Sequence, residues 1–269
     1  MTGSKWDQRI RRARELAIAH PFAAEALVFY ERLAGFQKAL YSRFGAACGD
    51  ELQRRPPGSL RRELDLFVLL PQFRDFLAWV ETMAPPPIAH SAGNLESQGA
   101  ERWQELLLRY WNAAAPLPDG DADALLAWMY LQPYAESLAD HTEPIAAAGA
   151  PARCPLCSGE PQVGVLRPEG DGAKRSLVCS LCATEWAYRR LVCPSCGEED
   201  VGKLALYVAD QFRHIRVEAC DSCRRYIKTV DLTKNGRAVP VVDELAAIPL
   251  NLWARENGYT KLRANWLGI

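Results

Sequence analysis

The chain has 269 residues, with 49% hydrophobic and 24% charged positions and a net charge of −1, the make-up of an ordinary globular protein with room for two domains. No stretch reaches the ~20 apolar residues that span a bilayer, and Met1–Asp7 lacks the apolar core of a secretory signal. Membrane insertion and secretion are excluded on this reading, and a cytoplasmic location with reduced thiols is expected.

Residues 1–150 read as a helical domain. Leu27, Tyr30, Leu33, Leu40 and Phe44 recur at helical spacing and predict a helix over 22–44, just after Pro21. A second helix is expected over 59–83, capped by Ser59 and broken or kinked at Pro71. Pro85-Pro86-Pro87 reads as a stiff linker, and helices follow over 99–113 and 121–131, parted by Pro116, Pro118 and Gly120. A short helix ending near Ala146–Ala150 would complete a bundle of six or seven. Trp79, Trp103, Trp111 and Trp128 are expected in its core, and Cys48 as a small buried hydrophobe. His20, His90, His141 and His214 lack partners at ligand spacing and read as surface or cap residues.

Residues 151–240 change character and repeat. Strands are expected over 163–167, 174–178 and 184–192, then again over 203–208, 213–219 and 225–230. Each set runs from a Cys-Pro-x-Cys through a hairpin to a Cys-x-x-Cys and an aromatic strand, an internal duplication with units at 151–192 and 193–240. Residues 241–269 hold a final helix, with Asp243 as N-cap, Gly258 just past its end, and Pro249 forcing a kink or a late start.

Eight of the nine cysteines form the four Cys-x-x-Cys pairs: Cys154/Cys157, Cys179/Cys182, Cys193/Cys196 and Cys220/Cys223. Thiolates are soft ligands, and two such turns complete a tetrahedral S4 shell for zinc or iron. Two metal ions are therefore expected. The duplication pairs the first turn with the second and the third with the fourth; an interleaved pairing is the alternative. A disulfide framework fits a reducing compartment poorly, and a redox dithiol lacks its βαβ setting. Four thiolates leave no open position, so zinc here would be structural, whereas iron could carry one electron. Gly197 follows Cys196 and permits a positive φ, while the return turns have Ala183 and Arg224 at the equivalent place. Glu185 and Asp221 lie beside ligands and read as surface carboxylates. No phosphate-cradling loop, nucleophile elbow or His-Glu-x-x-His is present, so no catalytic residue is assigned and the chain reads as a non-enzyme.

Three segments resemble one family. Cys179-Ser-Leu-Cys182-Ala-Thr-Glu185-Trp186, then Glu218-Ala-Cys220-Asp221-Ser-Cys223-Arg-Arg-Tyr226-Ile-Lys228, and the tail from Asp243 to Tyr259 are similar to the formate dehydrogenase accessory proteins, the FdhE family. The resemblance implies an α+β chain: a helical domain, two rubredoxin-like or zinc-ribbon units able to hold iron, and a carboxyl-terminal helix. It also implies a maturation factor that contacts the catalytic subunit of respiratory formate dehydrogenase. Two other functions compete. One is a rubredoxin-like one-electron carrier acting on a nascent metalloenzyme. The other is a zinc-ribbon nucleic-acid binder, with Trp186, Tyr188 and Tyr226 stacking bases and Arg189-Arg190 and Arg224-Arg225 meeting phosphates. Loading weighs against the last: residues 151–240 carry a net +3, which eight thiolates and two Zn²⁺ bring to −1.

Overall fold

A computed structural model describes residues 4–52, 60–61, 64–113, 121–142 and 151–265, without the side chains of 47–52. Cys48 as a buried side chain, Ser59 as a cap, the 116–120 break and the helix ending near 146–150 lie outside the described residues. The contacts divide the chain into two compact units, one drawn from Met1–Ala34 with Ala146–Leu267, the other from Gly35–Ile145.

The second unit is helical. It holds the later part of α2 (Ala24–Leu52), then α3 (Leu66–Met83), α4 (Pro86–Asn112) and α5 (Ala122–Asp140). Asp65 and Asp121 cap α3 and α5, each carboxylate accepting from the N–H three residues on. Phe73, Phe76, Trp103 and Tyr130 interlock in the core, with Phe73 and Tyr130 ring centres 4.8 Å apart. Trp111 and Trp128 are buried too, while Trp79 is half-buried against Phe36.

Prolines at three places start or continue a helix rather than break it. Pro71 lies inside α3 without ending it. The helix starts at Leu66, so the only carbonyl the ring frees belongs to the exposed first turn. Pro133 lies inside α5, carrying the helix past the expected end at 131. The carbonyl it orphans, that of Met129, accepts from Gln37 Nε2 at 2.7 Å. Pro85-Pro86-Pro87 begins α4 rather than linking two helices, since proline suits a first helical turn. The break in α4 falls at Gly99, where φ is +81°.

The first unit joins α1 (Lys5–Ala19), a seven-stranded sheet, α6 (Pro240–Ala246) and α7 (Ile248–Glu256). Ser4 and Asp7 form a capping box at the start of α1. The sequence groups this helix with the helical domain. It instead packs on α6, with Arg12 donating to both carboxylate oxygens of Asp243 at 2.6 and 2.9 Å.

The sheet contains two antiparallel three-stranded ribbons. The first is β1 (Pro161–Glu169), β2 (Gly172–Cys179) and β3 (Glu185–Ala187). The second is β4 (Leu204–Val208), β5 (Ile215–Cys220) and β6 (Arg225–Asp231). The expected strand over 184–192 shortens to three residues, because Tyr188 turns inward beneath Arg175. A parallel pairing of Gly164–Leu166 with Thr229–Asp231 fuses the ribbons. A short β7 (Thr260–Lys261) lies beside the other end of β6. One face of the sheet packs on α6 and α7 through Val163, Val165, Val217, Tyr226 and Leu250.

The final helix is two helices broken at Ala247, with Pro249 in the first turn of α7 and Gly258 at φ +76° just beyond its end. Asp243 is not an N-cap. It sits within α6 and reaches back to the N–H of Val239 at 2.7 Å while also accepting from His214 Nε2 at 2.9 Å. His214 is thus a partly buried partner, unlike exposed His90 and His141; His20 packs on Phe212.

Beneath the sheet, Glu244 meets Lys228 at 2.9 Å and also Lys261, all three buried. Lys228 also donates to the carbonyls of Glu244 and Ala247 at the end of α6. Burial opposes ionisation of Glu244, but the two lysines overcome it and hold the carboxyl at about 2.

Two predictions follow from these contacts. A Cβ at Gly164 would strike the Thr229 side chain, so Gly164→Ala should cost about 1–3 kcal/mol in denaturant unfolding, and Thr229→Ala should restore most of it. The depressed Glu244 pKa stabilises the fold above the ordinary carboxyl value of 4.5 and is lost as pH falls toward about 2. Stability measured across that window should fall in wild type and flatten in Glu244→Gln, which starts lower because two buried lysines lose their counter-charge.

Candidate metal centres

Each cluster is assembled by a hairpin. Cys154 and Cys157 lie in the loop before β1, while Cys179 ends β2 and Cys182 follows it. The ladder pairs Pro161 with Cys179, which returns the second turn to the first. Cys193 and Cys196 precede β4, and the pairing of Leu204 with Cys220 does the same for the second ribbon. The structure therefore brings the eight cysteines together as Cys154, Cys157, Cys179 and Cys182, and as Cys193, Cys196, Cys220 and Cys223. Sequential turns meet, not interleaved ones.

Within each cluster the four sulfurs lie within 4.8 Å of one another. The closest separations are 3.3–3.5 Å in the first and 3.7 Å in the second. A disulfide needs about 2.0 Å, whereas four sulfurs ~2.3 Å from a shared zinc stand about 3.8 Å apart. None of the eight cysteines is in a disulfide, and each set could hold a metal ion.

The turns are built alike. Each places a residue with positive φ just after its second cysteine: Ser158 at 58°, Ala183 at 52°, Gly197 at 78° and Arg224 at 56°. Three of these are not glycine, at a cost of roughly 1–2 kcal/mol each. The conformation points backbone N–H groups inward. Leu181 donates to Cys179 Sγ and Ser195 to Cys193 Sγ, both at 3.4 Å.

The two clusters differ in exposure. All four cysteines of the first are buried, whereas Cys196 is exposed and Cys223 partly so. Burial raises Cys179 well above the usual thiol range, and neighbouring thiols add to it. Cys182 is raised chiefly by its bonds to Cys154 and Cys157. Burial also raises Cys193. For Cys223 burial pushes upward, but the N–H of Arg225 and the neighbouring thiols bring it below the usual value.

The flanking carboxylates do not point at sulfur. Glu185 binds Arg167 and Ser176, while Asp221 accepts from Tyr259 at 2.6 Å and Arg224 at 2.8 Å. Nor do the aromatics offer stacking faces. Trp186 is buried and donates to the Pro151 carbonyl, Tyr188 lies under Arg175, and Tyr226 donates to Asn251. Sequence reasoning missed the ion cluster joining the ribbons, in which Glu218 binds Arg175 at 2.5 Å and Arg216 at 2.7 Å. Its only sequence signal is charge at strand positions.

The sequence matches the family model "FdhE, central domain" over residues 153–190 and "FdhE, C-terminal domain" over 179–267. A "Protein FdhE homolog" of Aquifex aeolicus is 30% identical over 222 residues, covering 81% of this chain and 76% of that protein. The chain belongs to the FdhE family. FdhE homologs of Shewanella oneidensis and Pseudomonas aeruginosa are 33% and 35% identical over 112 and 119 residues, which is 37% and 38% of their length. The crystal structure of the FdhE protein from Pseudomonas aeruginosa superposes with a TM-score of 0.74 at 24% identity, covering 99% of this chain and 97% of that one. At that identity the likeness concerns the fold, and it takes in the helical part that both FdhE family models leave out.

Exposure sets the expected order of metal loss. In metal-loaded protein a water-soluble chelator should empty the second cluster faster than the first. Release followed by a colorimetric dye should show two phases, and Cys220→Ser should remove the fast one; loss of the slow phase instead would contradict the assignment.

Proposed function

We propose that this FdhE-family protein is an accessory factor for a respiratory formate dehydrogenase, acting by binding its catalytic subunit rather than by catalysis of its own. Family membership carries this reading, and the match falls on the ribbons that contain the cysteine clusters. We assign Cys154, Cys157, Cys179 and Cys182 as ligands of one metal ion, and Cys193, Cys196, Cys220 and Cys223 as ligands of a second. The sulfur spacing supports both. The ribbons 151–192 and 193–240 would then each be one metal-holding module, flanked by helical segments 1–150 and 241–269. Zinc and iron both suit four thiolates; zinc would hold the fold, on the order of 10 kcal/mol per site, and iron would add one-electron chemistry. A cytoplasmic site of action fits eight reduced thiols.

The exposed Cys196 favours a second reading, in which the second cluster holds iron and passes an electron to the partner. A redox centre must lie near the surface to exchange electrons, and the first cluster does not.

Replacing Cys193 and Cys196 by Ser tests both. In cells lacking the native protein, the variant should keep one metal per chain and fail to restore formate dehydrogenase activity. Full restoration with the second site empty would remove that ribbon from the mechanism. Equal restoration by wild-type protein loaded only with zinc would remove electron transfer.

A further inference from the structure

The sheet ends on two edges, and the two are built differently. β3 is three residues long, with Glu185 tied to Arg167. β4 runs Leu204-Ala205-Leu206-Tyr207-Val208, without a charge, a proline or a break in its register with β5. Its outer side has no strand beside it among the described residues. Sheet edges are ordinarily blunted by lysine, proline or bulges, because bare N–H and C=O groups recruit other strands. Leu206 and Val208 are 54% and 55% exposed on this one.

Beside β4 lies a shallow cleft, open to solvent. Leu204, Leu206 and Ile227 line one side, and the loop from Arg190 to Ser195 lines the other. Three arginines face it. Arg190 and Arg225 are exposed and donate only to backbone carbonyls, those of Ala173 and Lys261, with no carboxylate partner among the described residues. Arg175 is buried, and its Nε has no partner. Glu218, also in the cleft, is shared between Arg175 and Arg216 and has no charge to spare.

We propose that β4 and this cleft dock an extended, acidic segment of a partner protein by strand addition. Its backbone pairs with the bare edge, and the side chains of one strand face enter the cleft, apolar ones beside Leu206 and carboxylates toward Arg190. A second copy of this chain fits less well. Pairing two five-residue edges falls far short of the ~1,200 Å² of a stable interface, and a symmetric contact would set the same unpaired arginines against one another. The inference does not require that the partner be formate dehydrogenase.

A fluorescein-labelled dodecapeptide of three Val-Thr-Glu-Thr repeats, the Glu–Val peptide, sets Val and Glu on one face of a strand and tests it on metal-loaded full-length protein; the Lys–Val peptide has Lys for each Glu. Fluorescence anisotropy should give saturable binding, about tenfold weaker for the Lys–Val peptide and for Leu206→Lys and Arg190→Glu. Both positions are exposed, so metal content should not change. Amide exchange at 204–208 should slow when the Glu–Val peptide binds. No saturation by about 1 mM peptide, or equal binding by Leu206→Lys, would overturn the proposal. So would a concentration-dependent dimer in sedimentation that Leu206→Lys abolishes, which would seat a second copy on β4.

Discussion

Crowding four thiols into less than 5 Å is the constraint that organises both ribbons. Buried thiols resist ionisation, and buried thiolates repel one another. A cation among them would remove both penalties, and its binding energy would then become folding energy. The same term would offset the left-handed backbone at Ser158, Ala183 and Arg224, where no glycine relieves the strain. Hairpin, turn and cluster are in this sense one device, used twice.

The second level of organisation is ionic and buried. Glu218 draws Arg175 of the first ribbon onto the second. Lys228 and Glu244 fasten β6 to α6, Tyr226 fastens it to Asn251 of α7, and Asp221 meets Tyr259 just before β7. These are the residues by which the sequence resembles its family between Glu218 and Lys228. Their contacts are with the fold rather than with the cysteine cluster, so that part of the motif encodes the seating of the ribbon on its helices. The clusters themselves are unequal: the first is sealed, and the second opens to solvent at Cys196. A sealed S4 centre suits a scaffold, and an open one can meet another protein.

Much of this was legible in sequence because it is local. Cys-x-x-Cys turns, hairpin turns and alternating strands each lie within a few residues, and the duplication favours the meeting of successive turns that the structure shows. What was not legible depends on distant partners. The parallel joint needs Gly164 because Thr229 lies against it, some sixty-five residues away in the chain. Asp243 has the right chemistry for an N-cap and does bond an N–H at the helix start, yet it does so from within the helix because Arg12 and His214 hold it there. The helix expected to end at 131 runs on through Pro133 because Gln37 satisfies the carbonyl that the proline frees. Tyr188 reads as a strand residue until Arg175 is seen above its ring.

The account rests on the two thiol clusters being metal centres that hold the ribbons in shape. Elemental analysis of protein purified without oxygen from its native host, with a visible spectrum of the same sample, tests this most directly. The account predicts two metal ions per chain, either colourless zinc or iron with a ferric–thiolate spectrum that bleaches on reduction. A folded chain with no bound metal and eight cluster thiols open to titration would contradict it.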